Sequence, residues 1–119
     1  MKTLLKVISA FEGLTGIGLL FAPSLVVSIL LGASLDGPAT ILLSRITGTA
    51  LISLAIICWL SSAGSNAREV VIAMLFYNVV ATGLLLYAVL GVALSGIGIW
   101  PAVLTHAGLS LWCALSFRK

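Results

Sequence analysis

The sequence predicts an all-α integral membrane protein, a four-transmembrane-helix up-down bundle with a short interfacial helix after the first span. Three observations predict it. Of 119 residues, 61% are hydrophobic and only 8% charged, and the mean hydropathy is +1.30, leaving too few polar groups for a wettable surface. Four apolar runs, residues 4–22, 39–60, 70–94 and 99–117, each come near the roughly 20 residues that a helix needs to cross about 30 Å of hydrocarbon. Up-down connection of these runs puts Lys2, Lys6, Arg68, Arg118 and Lys119 on one side, while Asp36 is the only charge on the other. The runs must be helices, because in lipid each backbone polar group needs a partner within its segment, and barrel-strand alternation is missing. Residues 1–119 are read as a single integral membrane domain.

The first span is expected to stop near Ala22, since Pro23 has no N–H to donate and Ser24 suits a turn. Glu12 interrupts what would otherwise be the apolar core of a signal peptide, so this run is expected to be retained. Residues 24–31 (SLVVSILL) are too few to cross and read as a helical piece at the outer interface, closed by Gly32. A first helix continuing through a kink at Pro23 to Leu31 is the alternative. Pro38 and Pro101 open the second and fourth spans, where a first-turn proline forfeits no hydrogen bond. Each is followed by Ala and then by a polar side chain, Arg45 or His106, which hints at a two-plus-two internal repeat. Gly64, Ser65 and Asn66 supply the turn before the third span. Trp100 marks the outer boundary, and Trp59 and Trp112 the inner one.

By the positive-inside rule both termini are cytoplasmic, and the expected location is a bacterial inner membrane crossed several times. The net charge of +3 and pI near 9.2 then reflect topology and anionic lipid headgroups, and no nucleic-acid partner is expected.

Each span carries one strongly polar side chain at depth: Glu12, Arg45, Asn78 and His106. A charge at the bilayer centre costs about 2.5 to 3.5 kcal/mol on insertion scales, so such residues face the protein interior and find partners. Counted from the span ends, Arg45 and His106 lie roughly 10 Å below the outer surface, with Glu12 and Asn78 nearer the middle. A Glu12–Arg45 ion pair completed by Asn78 and His106 would satisfy all four. Small or hydroxylated neighbours extend each position into a stripe: Ser9, Glu12 and Gly16; Arg45 and Thr49; Asn78 and Thr82; His106, Ser110 and Cys113. Such stripes can glue a bundle together, line a ligand pocket or meet a neighbouring subunit. All three readings stay open.

Other motifs carry less. Gly13, Gly16 and Gly18 spell G-x-x-G-x-G, but no strand precedes them and they fall inside a span, so helix packing is expected. His106 is the only histidine, which excludes bis-histidine haem ligation or a multi-histidine metal site within one chain and leaves a single axial bond to haem or a pigment as an alternative. Cys58 and Cys113 lie in no C-x-x-C motif and are expected to be apolar filler. Tyr77 and Tyr87 are read as buried aromatic packing, with phenolic hydrogen-bond donors as the alternative. No nucleophile with its base, paired carboxylates or phosphate loop is found, so no catalytic residue, metal or cofactor is assigned.

The run GLTGIGLLFAPSLVVSILLGASLDGPATILLSRITGTALI, with CWL, AMLFYN and WPAVLTHAGLSLW, resembles small four-helix bacterial inner-membrane proteins of the DoxX-like kind, over almost the whole chain. The resemblance implies a fold, carried by the Pro23 break, Gly32, Arg45 with Gly48, Tyr77-Asn78 and His106, and no reaction. The chain is also similar to small multidrug-resistance exporters in its length and its first-helix glutamate, although Arg45 would neutralise a carboxylate that must stay free to exchange protons. The leading expectation is a non-enzymatic membrane protein that binds a hydrophobic small molecule or serves as an accessory subunit, with membrane lipid and a homo-oligomer or larger membrane complex as partners. A small proton-coupled transporter is the alternative.

Overall fold

The structure, a computed structural model, describes residues 1–118 as five helices: α1 (Lys2–Phe21), α2 (Pro23–Leu31), α3 (Pro38–Ser61), α4 (Ala67–Leu90) and α5 (Ile99–Leu115). The protein is all-α. α1, α3 and α4 are long and apolar enough to cross a membrane. α5 is apolar, but its 17 residues rise only about 25 Å.

Prolines set three of the boundaries. Pro23 is the first residue of α2, and the Ala22 N–H closes α1 by donating to the Gly18 carbonyl at 2.8 Å. Pro38 opens α3, again at a position whose N–H would have no helical partner. α2 stops at Gly32, whose φ of 64° is left-handed and costs glycine nothing. The third span ends earlier than the apolar run 70–94 suggests. α4 closes at Leu90, and the chain turns through Gly91 and Ala93 (φ 55°), with the Leu94 N–H returning to the Ala88 carbonyl. Residues 91–94 are apolar but belong to the connection that meets α2. Likewise α5 ends at Leu115, and Ser116 and Phe117 form a turn.

The four long helices run antiparallel in sequence order as two pairs, α1 with α3 and α4 with α5. α1 and α3 cross backbone to backbone: a Cβ on Gly16 would lie 2.7 Å from the Gly48 carbonyl oxygen, and one on Gly48 would lie 2.6 Å from that of Gly16. Only glycine permits this approach. Ser9 Oγ donates to the Ala55 carbonyl at 2.8 Å further along the same seam. Gly13 and Gly16 of the G-x-x-G-x-G run thus lie against α3, and Gly18 against Val26 of α2.

The pairs meet fully only at one end, where Leu4, Leu5 and Ile8 of α1 pack with Cys58 of α3, Val71 and Met74 of α4, and Leu109 and Cys113 of α5. Lys2, Lys6, Arg68 and Arg118 belong to this end by position, with Lys6 Nζ 5.6 Å above the Trp59 ring and the Arg68 guanidinium 5.3 Å from that of Phe117. Toward the other end the pairs part, and α2 fills some of the gap. The molecule is accordingly flattened, 45 × 28 × 18 Å, where a square bundle would have two equal short axes. At the far end main chain joins the two sides: the Gly98 N–H donates to the Ile29 carbonyl at 2.8 Å. A Cβ on Gly32 would collide with the Ser95 carbonyl, and one on Gly96 with that of Ile29.

Candidate functional site

Between the two pairs lies a cleft of about 780 Å³. Its walls are apolar: Phe11, Leu14 and Leu19 from α1, Val26 and Leu30 from α2, Leu51 from α3, Phe76, Val80 and Leu84 from α4, and Ala102 from α5. Phe76, Leu14 and Leu84 are strongly exposed. With one end closed by core and the other tied by the α2 contact, the cleft faces sideways.

Glu12, Tyr77 and His106 are its polar feature. Glu12 is 1% exposed and Asn78 fully buried. Tyr77 Oη donates to Glu12 Oε2 at 3.3 Å. Asn78 follows Tyr77 in sequence and so points about 100° round the helix, where its Oδ1 lies 2.8 Å from His106 Nδ1. The amide orientation is determined by its other end: Asn78 Nδ2 donates to the Met74 carbonyl at 2.7 Å. A carbonyl only accepts, so Oδ1 must face the ring and His106 Nδ1 must carry the proton. In the neutral imidazole the lone pair then sits on Nε2, which has no partner among the described residues. The His106 ring is held edge to face by Phe11 (centroids 6.0 Å) and Tyr77 (5.8 Å).

Glu12 Oε1 is buried and accepts no hydrogen bond among the described residues. An unpaired buried acceptor costs about 1–3 kcal/mol, and more for a charged group. Ser61 Oγ is also buried without a partner among the described residues, but it lies at the end of α3 remote from the cleft.

The structure brings together three of the four polar residues the sequence singled out, and excludes the fourth. Arg45 is exposed, and the hydrogen bond to the Glu12 carboxyl comes from Tyr77, so the expected Glu12–Arg45 ion pair does not form. The glycine crossing explains why. Glu12 lies four residues to one side of Gly16, and Arg45 three residues to the other side of Gly48, a separation of roughly 10 Å along the axes. Arg45 is also about 120° round α3 from Leu51, which faces the cleft.

Thr49, too, is exposed, its hydroxyl donating to the Arg45 carbonyl. Thr82 and Ser110 flank the cluster but bond to their own helices, at the Asn78 and His106 carbonyls. Tyr77 is the residue that sequence reasoning ranked wrongly, because packing was preferred to the phenolic-donor role that the Glu12 contact gives it. Its adjacency to Asn78 was the available signal, since neighbouring polar-capable residues on one helix can serve two different partners. Among the described residues no three histidine, cysteine or acidic side chains gather as metal ligands. No family model, curated protein or solved structure matches the chain.

Proposed function

We propose that the protein is an integral membrane protein, crossing four times through α1, α3, α4 and α5, that takes a hydrophobic small molecule from the bilayer into the cleft between its two helix pairs. One observation carries this reading: a cleft of about 780 Å³ in the size range of ligand sites, apolar in its walls, with a few convergent polar groups. A sideways opening between exposed Leu14, Phe76 and Leu84 suits a ligand already dissolved in lipid.

Lys2, Lys6, Arg68 and Arg118 gathered at the closed end support cytoplasmic termini, as in the bacterial inner membrane that the DoxX-like resemblance suggests. In spheroplasts a membrane-impermeant maleimide should label Ser34→Cys but not Ser65→Cys; the reverse pattern refutes the orientation.

The binding reading is tested by gentle detergent extraction from native membrane and native mass spectrometry. A one-to-one small-molecule adduct is expected on the wild type and should be lost in Ala102→Trp, which fills the cleft. Bare protein masses for both would refute it. A second reading draws on the His106 geometry, since an imidazole with Nδ1–H bound to a carbonyl and Nε2 free is arranged as a metal-ligating histidine is. His106 as the single axial ligand of a haem or pigment requires a coloured purified protein whose visible band His106→Ala removes. A colourless protein ends it.

A further inference from the structure

The tautomer imposed on His106 turns a lone pair toward the cleft and leaves it unused. His106 is 8% exposed and forms part of the cleft wall. Its Nδ1–H is held by Asn78 Oδ1 at 2.8 Å, and Nε2 accepts no hydrogen bond from the described residues. Among those residues the unbonded side-chain polar atoms sealed from contact are Glu12 Oε1 and Ser61 Oγ. Nε2 is unbonded but not sealed, and the space beside it is the cleft. The ring is fixed in this sense, because Phe11 and Tyr77 pack edge to face against it and a half-turn would set a carbon against Asn78 Oδ1. The walls cannot supply the missing donor. The hydroxyls of Thr15, Thr47 and Thr105 donate to the carbonyls of Phe11, Leu43 and Pro101 on their own helices, and that of Tyr77 donates to Glu12 Oε2.

We propose that the cleft binds a neutral lipophile headed by a hydroxyl group, an alcohol or a phenol, whose O–H donates to His106 Nε2. This rests on the hydrophobic-ligand reading above and specifies the polar end of the ligand. One lone pair calls for one donor. Ethers, esters and ionised carboxylates only accept, so they leave Nε2 unpaired and bring an oxygen that no wall hydroxyl is free to satisfy. An amide donates, but its carbonyl arrives with the same unmet need, and an ammonium brings three donors to a single acceptor. A site with a buried acceptor discriminates against the analogue that lacks the donor, because the site's own group then stays unpaired. The apolar body of the ligand lies along Leu51, Val80 and Leu84.

Two isomers test it on the full-length protein by native mass spectrometry, titrated separately: dodecanol, and methyl undecyl ether, which has the same atoms and no O–H. Both should form a one-to-one adduct, the alcohol about five- to tenfold tighter. His106 is the only histidine, so its imidazole ¹⁵N signals identify themselves. In the wild type the unprotonated Nε2 signal should move on adding dodecanol and stay in place with the ether. His106→Phe keeps a ring and removes the lone pair, and should bring the two isomers within about twofold of each other.

Equal affinity of the wild type for the two isomers overturns the hydroxyl assignment and leaves the cleft reading standing. If neither isomer binds, the cleft reading fails and takes the hydroxyl with it. An alcohol preference that survives in His106→Phe, or that leaves the Nε2 signal unmoved, overturns His106 as the acceptor. A haem or pigment would occupy the same lone pair, so a visible band that His106→Ala removes also overturns it. Should His106→Phe not fold, the wild-type affinities and Nε2 signal decide alone.

Discussion

Gly48→Ala is the sharpest test of how the two halves are built. The added Cβ would lie 2.6 Å from the Gly16 carbonyl oxygen and 2.7 Å from the Leu20 nitrogen. Both are main-chain atoms inside a helix, so no rotamer change relieves the clash. Ordinary contact begins at 3.4 Å, and α1 must therefore retreat by about 0.8 Å, an overpacking strain of about 1–3 kcal/mol. A retreat of that size would carry the Ser9–Ala55 hydrogen bond from 2.8 Å toward the limit of hydrogen-bonding range and forfeit about 0.5–1.5 kcal/mol more. The expected loss is about 2–4 kcal/mol, read from reversible unfolding in dodecylmaltoside titrated with dodecyl sulfate. Gly83→Ala and Gly108→Ala are the controls, because a Cβ at either meets nothing within 4 Å. Each should be neutral or stabilising by up to about 1 kcal/mol through better helix propensity. A Gly48→Ala protein as stable as those two would refute the backbone crossing.

Three further outcomes are expected. Arg45→Ala should change unfolding free energy by no more than about 0.5 kcal/mol in the same titration, as for an exposed side chain; a loss of about 3–5 kcal/mol would reinstate a buried ion pair with Glu12. Asn78→Ala removes the partner of His106 Nδ1 and leaves that N–H buried, so it should cost about 1–3 kcal/mol and shift the imidazole nitrogen signals in ¹⁵N-labelled protein. An unmoved spectrum would contradict the Asn78–His106 bond. Cys58 and Cys113 are both free and buried, so intact-mass analysis should show no maleimide adduct on the native protein and labelling of both after dodecyl sulfate denaturation.

Helices and their breaks were readable because single residues dictate them. Pro23 cannot donate, Gly32 tolerates a positive φ, and a long apolar run has no alternative in lipid but to coil. The ends of runs were less readable. Residues 91–94 are as apolar as the span they follow, and only the tertiary need to bring Gly96 and Gly98 against α2 removes them from the helix. Within the site, Glu12, Asn78 and His106 were legible because polar groups in hydrocarbon must converge. Which of them meet was not. Arg45 satisfied every rule of depth and charge, yet the rotation and height of α3 against α1 are set by Gly16 and Gly48, residues whose contribution is an absence of side chain. Tyr77 was hidden by its own duality, since a phenol at that spacing reads equally as filler.

The main-chain join between Ile29 and Gly98 closes the molecule as a catch closes a clasp, at the rim opposite the Leu4–Cys113 core. Because the catch is an amide donating to a carbonyl, side-chain exchange at Ile29 or Ser95 leaves its hydrogen bond in place. Adding a single methyl at Gly32 or Gly96 would prise it open. In the binding role proposed above, the rim would stay joined and a ligand would enter from the side, between Leu14, Phe76 and Leu84.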